Sequence, residues 1–336
     1  MINIAIVGIG FMGATHFLAA KGVQGARVSA IVTRDPKKRR GDWSDVKGNF
    51  GSGGGVQDLS GIKVYSTLDE VLADDSIDLV DICLPTAMHP STVIKSLEAG
   101  KHVLVEKPIS IRLDDADAML EAEKRTGKRL FVAQVLRFFP QFAYLKRLLE
   151  SGEYGALRAL HLKRVISQPD WREDNSAEVN GGIVVDLHVH DADFVQYLFG
   201  MPEAVFASGV TNDKGEVIYL ASQYLYGPGG PTVSAHCGAL ASESIPFEHG
   251  YDAYFEKANV SYSSVSDVIH LYTKEGRIDN PPIDMTDGFV GELQYVVDAL
   301  SGKQSGEVLS GRSARNSLLL CHLATESVKS GRVTAV

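Results

Sequence analysis

A glycine-rich turn near the first residue sets the strongest limit on how this chain can fold. The segment Gly8–Gly13 has the spacing G-x-G-x-x-G, follows the apolar run Ile2–Val7 and opens a helical stretch, which is the context of a dinucleotide-binding turn. Gly8 permits the tight turn, Gly10 lets a pyrophosphate approach the backbone, and Gly13 lets helix and strand pack closely. The predicted cofactor residues of this loop are Gly8, Gly10, Phe11, Met12 and Gly13.

Apolar runs alternate with helical stretches over the N-terminal part of the chain. The predicted strands lie at 2–8, 27–33, 78–84, 102–106 and 130–135, and the predicted helices lie at 12–22, 67–73, 90–99 and 112–127. This alternation is typical of a parallel sheet with helices on both faces. We therefore predict a doubly wound Rossmann domain over residues 1–136.

The pattern changes at residue 137, after which strands follow one another without helices between them. A predicted helix at 138–151 precedes predicted strands at 156–166, 203–211, 216–226, 231–239 and 256–264, and helices near 286–301 and 310–330. Strands without crossover helices form mostly antiparallel sheets. We predict that residues 137–336 form an α+β domain with a large, mostly antiparallel open sheet, so that the chain as a whole belongs to the α/β class.

The composition excludes several classes of function. A formal net charge of −9 over 336 residues disfavours a nucleic-acid partner. No apolar run reaches the roughly 18 residues of a membrane span. Met1 leads into the first predicted strand with no signal peptide before it, so we expect a cytoplasmic protein. The three cysteines lie far apart, which favours buried reduced thiols over a disulfide frame, and we expect no metal site.

The end of the second predicted strand indicates which dinucleotide binds. An acidic residue there bonds the 2′-hydroxyl of NAD, whereas a nearby arginine accommodates the 2′-phosphate of NADP. Thr33 occupies the usual acidic position and Arg34 follows it, which favours NADP. Lys37 and Lys38 add positive charge nearby. NAD remains the alternative, because a register shift of two residues would make Asp35 the ribose ligand.

The connection at 35–64 is unusually long. It carries the basic run Lys37–Arg40 and then the glycine-rich run Gly51–Gly55. Loops of this length are either functional or mobile. We expect a solvated insertion, and the alternative interpretation is that its basic start meets a cofactor phosphate.

A charged pair ends the fourth predicted strand. Val103–Val105 is apolar, and Glu106, Lys107 and Pro108 follow it. Ligands of open α/β sheets bind at the carboxyl ends of the strands, so Lys107 is predicted to lie where the reaction takes place. An ammonium group there would stabilise a developing alkoxide. The alternative is a plain surface Glu-Lys turn.

An acid–imidazole pair lies in the segment Gly181–Asp191. Asp186 and His190 are four residues apart, so on a helix they share one face, where the carboxylate orients a ring that exchanges a proton. If the segment were instead a strand, Asp186, His188 and His190 would share a face and form a metal site, as in a metal-dependent hydrolase. The helical pattern of residues 194–200 favours the first interpretation.

Several motifs together resemble the Gfo/Idh/MocA oxidoreductases, the relatives of glucose–fructose oxidoreductase and inositol dehydrogenase. They are Gly8–Gly13, Leu84–His89, Glu106–Pro108 and Gly181–His190, and the resemblance spans roughly residues 1–300. It implies a Rossmann domain followed by a domain with a large open sheet. It also implies oxidation or reduction of sugars, polyols and related alcohols with NAD or NADP.

The resemblance also assigns roles to individual residues. The catalytic residues it implies are Lys107, Asp186 and His190, with Asp193 at a later acidic position. The further cofactor residues it implies are Leu84, Pro85, His89, Glu106, Lys107, Trp171 and Arg172, and the substrate residues are Lys107, Arg137, Asp186 and His190. His188 departs from the family, in which many members carry glycine or a small residue there. We expect it to face away from the catalytic pair, in the core or at the surface.

We therefore predict an NAD(P)-dependent dehydrogenase or reductase acting on a sugar, polyol or related cyclic alcohol bound in a cleft between the domains. His190 serves as acid or base, Asp186 orients it or binds a hydroxyl, and Lys107 polarises the reacting oxygen. NAD-dependent cleavage of glycosides is the alternative within the family, and a non-catalytic sugar or nucleotide sensor is a more distant one. Alternate apolar positions over residues 203–264 predict a homodimer or homotetramer formed through the C-terminal sheet.

Overall fold

The computed structural model describes residues 1–48, 54–167 and 177–336. It divides into two compact units, Met1–Phe138 with Thr286–Arg315, and Phe139–Met285 with Asn316–Val336. A single division after residue 136 therefore does not describe the chain, because the segment from Thr286 returns to the first unit. The physical reason is the packing of that segment on the glycine-loop helix, where the ring of Phe289 lies 6.1 Å from that of His16.

The predicted elements of the N-terminal part are all present, with bounds shifted by a few residues. In chain order they are β1 (Ile2–Val7), α1 (Phe11–Ala19), β2 (Ala26–Val32), β3 (Asp42–Trp43), β4 (Gly55–Val56), β5 (Lys63–Tyr65), α2 (Leu68–Leu72), β6 (Leu79–Ile82), α3 (His89–Glu98), β7 (His102–Glu106), α4 (Leu113–Thr126) and β8 (Leu130–Ala133). The short strands β3, β4 and β5 were not predicted. They lie in or next to the connection that was expected to be a solvated insertion.

The later part of the chain contains more strands than the sequence pattern predicts. In chain order its elements are α5 (Pro140–Ser151), β9 (Leu157–Ser167), α6 (Ala177–Asn180), α7 (Val189–Phe199), β10 (Ala204–Thr211), β11 (Val217–Leu225), β12 (Thr232–Ala241), β13 (Glu248–Phe255), β14 (Ala258–Ser263), β15 (Val268–Thr273), β16 (Gly276–Asp279), α8 (Gly288–Leu300), α9 (Gly311–Ser330) and β17 (Thr334–Ala335). Strand β13 was not predicted because Gly250 and Asp252 interrupt its apolar residues. Within the described ranges, no helix is both long enough and apolar enough to cross a membrane.

The first unit is built on a parallel sheet. Its described strands follow the order β5-β2-β1-β6-β7-β8, and each neighbouring pair runs parallel. Strands β6 and β8 are buried along their whole length, as expected for a sheet covered on both faces. The strand order reverses between β1 and β6, and the crevice at the carboxyl ends of these strands is where such sheets bind ligands. The predicted doubly wound Rossmann sheet is therefore confirmed.

The second unit is built on a mostly antiparallel sheet, as predicted. Among the described strands the order is β16-β15-β14-β13-β9-β12-β11-β10-β17, in which β9 and β12 run parallel and the other neighbours run antiparallel. Helices α5, α7 and α9 pack together over one face. Phe142 of α5 meets Phe194 of α7 edge to face at 5.1 Å, and Gln196 of α7 donates to the hydroxyl of Ser317 in α9 at 2.9 Å.

The other face of this sheet carries partly exposed side chains. In β13 and its partner β14, the pairs Tyr251–Tyr262 and Ala253–Val260 face inward, whereas Tyr254 faces outward opposite Asn259. The same alternation leaves large apolar side chains at least a third exposed on the outward face. They are Val210, Leu225, Leu240, Tyr254 and Tyr272. The open sheet therefore presents an apolar surface.

Candidate functional site

The glycine loop joins β1 to α1 and leaves one side open. Gly8 has a left-handed φ of +95°, and a Cβ on it would lie 2.6 Å from the Cys83 carbonyl oxygen. A Cβ on Gly13 would lie 2.0 Å from the Gly8 carbonyl oxygen, so both positions require glycine. A Cβ on Gly10 would meet no atom of the described residues within 4 Å. The loop therefore has room at Gly10 for a pyrophosphate, next to the first amides of α1, where Phe11 and Met12 are half-buried.

The residues just after β2 are the ones predicted to face the 2′ position of the cofactor ribose. Thr33 is buried directly after the strand, and Arg34 is exposed. Asp35 closes the following turn, because its Oδ1 accepts the backbone N–H groups of Lys37 at 2.8 Å and Lys38 at 3.4 Å. One oxygen of the Asp35 carboxylate, Oδ1, is therefore already engaged by its own turn.

The two lysines of this turn point to different partners. The Nζ of Lys38 donates to the carbonyl of Ile9 at 2.7 Å, which places an ammonium group against the glycine loop. The Nζ of Lys37 instead pairs with Asp45 at 2.5 Å, and Asp42 lies 3.6 Å away. Lys38 is therefore the cation of the basic run that lies beside the cofactor loop.

The start of the long connection packs on the first unit. Trp43 is fully buried, meets the ring of Phe17 edge to face at 4.8 Å, and donates its indole N–H to the Lys38 carbonyl at 2.9 Å. The expectation of a wholly solvated insertion is therefore wrong, because a tryptophan anchors this segment to α1. Residues 49–53, which include the start of the glycine-rich run, lie outside the described residues.

His89 lies between the loops that follow β6 and β7. Its ring nitrogens are 2.9 Å from the Pro108 carbonyl and 2.8 Å from the Leu84 carbonyl. Burial lowers the pKa of His89, although the carbonyl contacts oppose this. The ring therefore ties the Leu84-Pro85 loop to the turn at Pro108, and its described contacts are with the protein backbone.

Lys107 follows the last residue of β7. Glu106 is buried, and its Oε2 accepts the backbone N–H of Lys107 at 3.0 Å. The Lys107–Pro108 peptide bond is cis, and the Lys107 side chain is partly exposed. The lysine thus lies at the carboxyl edge of the parallel sheet, as the sequence predicts.

A buried charge cluster behind Lys107 was missed by sequence reasoning. His16 of α1 has its Nδ1 2.9 Å from Asp81 Oδ2 and its Nε2 3.0 Å from Glu106 Oε1. Glu292 of α8 approaches the same Nε2 at 4.0 Å. His16 comes three residues after Gly13, and this position in the helix after the glycine loop was the only feature of the local sequence that pointed to it.

Asp186 and His190 lie on continuous helical turns. Residues Val184–His188 form a π-helical turn that leads directly into α7. Both side chains are half-buried, and their separation of four residues places them on one face. This arrangement agrees with the helical interpretation of the segment.

His188 lies on the opposite side of the same turn. It is fully buried, and its Nε2 forms a hydrogen bond with the hydroxyl of Tyr224 at 2.9 Å. Burial, together with the positive charge of Arg164, lowers the pKa of His188 to about 3. The strand interpretation, with Asp186, His188 and His190 as a metal site, is therefore wrong, because a helix separates His188 from the other two.

Buried polar contacts hold α7 in place. Arg164 of β9 donates through Nε and a terminal nitrogen to Asp191, at 3.1 and 3.0 Å. Asp193 accepts the hydroxyl of Ser317 at 2.7 Å. These contacts lie just after His190 in the chain and fix the helix that carries it.

Two groups of His, Asp and Cys side chains bring possible ligand atoms within 4.8 Å of one another. They are His16, Asp81 and Cys83, and His188, Asp191 and Cys237. In the first group Asp81 already pairs with His16, and in the second Asp191 already pairs with Arg164. The ion pairs of Asp81 and Asp191 with protein side chains therefore account for the buried carboxylate in each group.

Three further residues were predicted to bind the cofactor or the substrate, namely Arg137, Trp171 and Arg172. Arg137 is buried and donates to the Val308 carbonyl and, at 2.7 Å, to the Ser313 hydroxyl, so its described contacts are structural. Its assignment to substrate remains a prediction. Trp171 and Arg172 lie outside the described residues.

Two family models match the chain. The model of an oxidoreductase family with an NAD-binding Rossmann fold matches residues 2–134. The model of the GFO/IDH/MocA C-terminal domain matches residues 142–261. Together the two matched ranges cover most of the chain.

Individual proteins are similar over different extents. Myo-inositol 2-dehydrogenase of Thermotoga maritima is 32% identical over 211 residues, which are 62% of this chain and 58% of that protein. 2,7-Anhydro-N-acetylneuraminate hydratase of Mediterraneibacter gnavus is 24% identical over 97% of this chain and 94% of that protein. The crystal structure of an oxidoreductase from Agrobacterium radiobacter in complex with NAD+, L-tartaric acid and magnesium superposes with a TM-score of 0.82 at 22% identity, covering 99% and 98% of the two chains. At that identity the superposition establishes a shared fold.

Proposed function

Because the chain belongs to the Gfo/Idh/MocA family of NAD-binding oxidoreductases, we propose that it transfers a hydride between a nicotinamide cofactor and a carbinol carbon of a sugar, polyol or related cyclic alcohol. The family membership confirms the resemblance predicted from the motifs. The observation that carries the proposal is that Lys107 follows β7 at the ligand-binding edge of the sheet that also holds the open glycine loop. The similarity to a myo-inositol 2-dehydrogenase supports the substrate class.

The proposed roles follow from the chemistry of each side chain. When bound, the nicotinamide supplies the acceptor or donor of the hydride. In the oxidative direction, His190 takes the hydroxyl proton, the carbinol carbon loses its hydride, and a carbonyl forms. Lys107 stabilises the negative charge that develops on the oxygen, and Asp186 orients the ring of His190. The reductive direction reverses each transfer, and Lys107 and His190 can exchange the proton-transfer role.

The test is an absorbance assay for reduced cofactor. The protein is incubated with NADP+ or NAD+ and, in turn, myo-inositol, scyllo-inositol and simple aldoses. Formation of reduced cofactor with one of these alcohols, lost in Lys107→Ala, supports the proposal. No reduced cofactor with any of them, and no oxidation of NADPH or NADH by the corresponding ketones, would contradict it.

We propose further that the cofactor is NADP in preference to NAD. Thr33 offers no carboxylate at the end of β2, Arg34 is exposed beside it, and one oxygen of the Asp35 carboxylate is engaged by its own turn. Lys38 brings an ammonium group to the glycine loop. A 2′-phosphate would be attracted by the two cations, whereas the ribose diol of NAD would have to share the Asp35 carboxylate with the turn that its Oδ1 closes.

The test of this preference is the ratio of NADPH to NADH affinity. Arg34→Ala and Lys38→Met are each expected to lower the ratio roughly tenfold, as for the loss of one charged contact of about 1.4 kcal/mol. Lys37→Met is the matched control, because its ammonium pairs with Asp45 and Asp42. Equal affinities for the two cofactors in the parent protein, or equal effects of all three variants, would contradict the preference.

A second candidate is a reaction without net redox change, such as cleavage of a glycoside with the cofactor restored at the end. The similarity over nearly the whole chain to a protein named as a hydratase favours it. The distinguishing result is product formation without accumulation of reduced cofactor.

We also propose that the chain forms a homodimer or homotetramer through the open sheet of the second unit. Tyr254 and Tyr272 stand on one exposed row of that face, and Val210, Leu225 and Leu240 extend the apolar surface. An apolar face of this kind is typical of an interaction surface.

A further inference from the structure

The imidazole of His16 lies at the centre of a buried set of ionisable groups in the first unit. Both its ring nitrogens face carboxylates, Asp81 at 2.9 Å and Glu106 at 3.0 Å. His16 and Asp81 are wholly buried, and Glu106 is nearly so. Charged groups sealed from water are costly unless they are paired, so their mutual placement is strongly constrained.

The ionisable groups facing His16 come from β6, the residue just after it, β7 and α8. Asp81 belongs to β6, Cys83 follows that strand with its Sγ 3.7 Å from Nδ1, Glu106 ends β7, and Glu292 of α8 lies 4.0 Å from Nε2. Burial alone would lower the pKa of His16, but the negative charge of Asp81, the interaction with Cys83 and the hydrogen bond to Asp81 together more than offset this and hold the pKa well above its usual value. The ring is therefore a cation surrounded by acids.

Glu106 connects this cation to the predicted catalytic lysine. One of its oxygens, Oε1, lies against His16 Nε2, and the other, Oε2, accepts the backbone N–H of Lys107 at 3.0 Å. The ring N–H does not point straight at Oε1, so the contact with His16 is chiefly electrostatic. The carboxylate thus spans the distance from the helix of the glycine loop to the backbone of Lys107.

We infer that His16 is a positioning residue: it fixes the carboxylate of Glu106, and Glu106 in turn fixes the backbone from which Lys107 reaches the reacting oxygen. The part of this inference that concerns catalysis rests on the proposed function. The geometric part, from His16 to Lys107, does not depend on it. A displacement of about 1 Å in such a group can cost a hundredfold in rate.

Two substitutions of His16 separate its two contacts. The side-chain amide nitrogen of asparagine occupies the place of Nδ1, so His16→Asn keeps a donor for Asp81 and removes the one facing Glu106. The longer glutamine places its amide nitrogen, which carries a partial positive charge, near Nε2, so His16→Gln keeps part of the attraction for Glu106 and removes the donor facing Asp81. Both variants lose the positive charge, which makes them a matched pair.

The first measurement needs no substrate. The protein is reductively methylated with ¹³C, and the dimethyl resonance of Lys107 is assigned from its absence in Lys107→Arg and followed against pH. His16→Asn is expected to displace this resonance and its titration midpoint, and His16→Gln is expected to displace both by less. A displaced signal in His16→Gln alone, equal displacement in both variants, or no displacement in either would overturn the inference.

The second measurement is kinetic. With whichever alcohol proves active, His16→Asn is expected to lower kcat roughly tenfold to a hundredfold while the Kd for NADPH changes little, and His16→Gln is expected to lower kcat by less. If no alcohol is active, the proposed function fails while the resonance of Lys107 still decides the inference.

Should the His16 variants not fold, Glu106→Ala and Glu106→Gln apply the same logic. The alanine removes the acceptor for the Lys107 N–H and displaces the resonance, whereas the glutamine keeps it. An unmoved resonance in Glu106→Ala would overturn the inference.

Discussion

The ring of His188 is kept neutral by its surroundings. It is buried in the second unit and forms a hydrogen bond with the hydroxyl of Tyr224. Burial, together with the positive charge of Arg164, lowers its pKa to about 3. A histidine in the unfolded chain has a pKa of about 6.5. Between these values the unfolded chain binds a proton at this position that the folded chain does not bind.

The stability of the protein is therefore expected to fall as the pH drops from about 6.5 toward 3. Each such proton changes the unfolding free energy by about 1.4 kcal/mol per pH unit. His249, whose pKa burial also lowers to about 3, contributes in the same direction. His188→Gln keeps an acceptor for Tyr224 but cannot take up a proton. Urea unfolding across this range should show a shallower pH slope in the variant, and an unchanged slope would contradict the assignment.

Loss of the proton-transfer groups should lower turnover without loss of cofactor. Lys107→Ala and His190→Ala are each expected to reduce kcat by about 10²–10⁴, since each is proposed to act on the reacting oxygen or its proton. Lys95→Ala is the matched control, because that lysine forms an exposed salt bridge with Asp69. Steady-state kinetics and NADPH titration provide the measurement. Near-normal turnover of a variant on the active alcohol would remove its residue from the mechanism.

Single residues were predictable where their chemistry is local. The roles of Gly8, Gly13 and Lys107 can be predicted because each lies within a short motif of neighbouring residues that follows a strand-like run. The pairing of His16 with Glu106 and Glu292 was not predictable, because it joins α1, β7 and α8, which lie far apart in sequence. The sequence around a histidine in an apolar helix does not predict which acidic residues will contact it in the folded protein.

The π-helical turn is the element that separates the roles of three neighbouring side chains. Asp186 and His190 share its outer face, while His188 points into the sheet. Gly181 and Gly182 precede the turn with left-handed φ values of +84° and +73°. The backbone just before the turn therefore favours glycine at both positions.

Gly181→Ala is expected to destabilise the protein and to lower kcat together. The left-handed conformation costs roughly 1–2 kcal/mol for a residue with a side chain, and the new Cβ would lie 2.5–2.6 Å from atoms of Val185. Gly152→Ala is the control, since Gly152 has a left-handed φ of +63° and its Cβ would meet no atom of the described residues within 4 Å. Urea unfolding and kinetics should show the larger loss of stability, and the loss of kcat, in Gly181→Ala. Equal effects of the two variants would contradict the role of the turn.

Strands were predictable to different degrees for a physical reason. The parallel strands of the first unit are buried on both faces, so they stand out as continuous apolar runs. Strands β13, β15 and β16 each carry polar or exposed residues on one face, and β16 is exposed along its whole length. Their alternation is too short or too interrupted to be distinguished from loops.

At the scale of the molecule, the assembly state was predicted from the strand pattern of the second unit, and it remains a prediction. Light scattering at micromolar concentration should give a multiple of the 36.3 kDa chain mass. A double variant, Tyr254→Asp with Tyr272→Asp, places charges on the exposed row and should lower the mass. Glu275→Lys, at the exposed turn beyond β15, is the control. A monomeric mass for the parent protein would contradict the proposal.

The two-unit organisation followed from the change of pattern at residue 137, but the return of residues 286–315 to the first unit did not. Helix α8 has an apolar face like any other amphipathic helix, and sequence alone does not say which sheet will bury it. The structure places Val290 of this helix within 3.2 Å of a Cβ built on Gly22. Tertiary packing of this kind is decided by contacts far apart in the chain.

The central claim, that the first unit binds a nicotinamide dinucleotide for hydride transfer, is tested most directly by fluorescence titration with NADPH and NADH. The protein is first checked for cofactor retained through purification. We expect a micromolar Kd for NADPH, weaker binding of NADH, and loss of both in Gly10→Val, in which a side chain fills the open side of the loop. Absence of binding by the cofactor-free parent protein, or unchanged binding by a folded Gly10→Val variant, would contradict the claim.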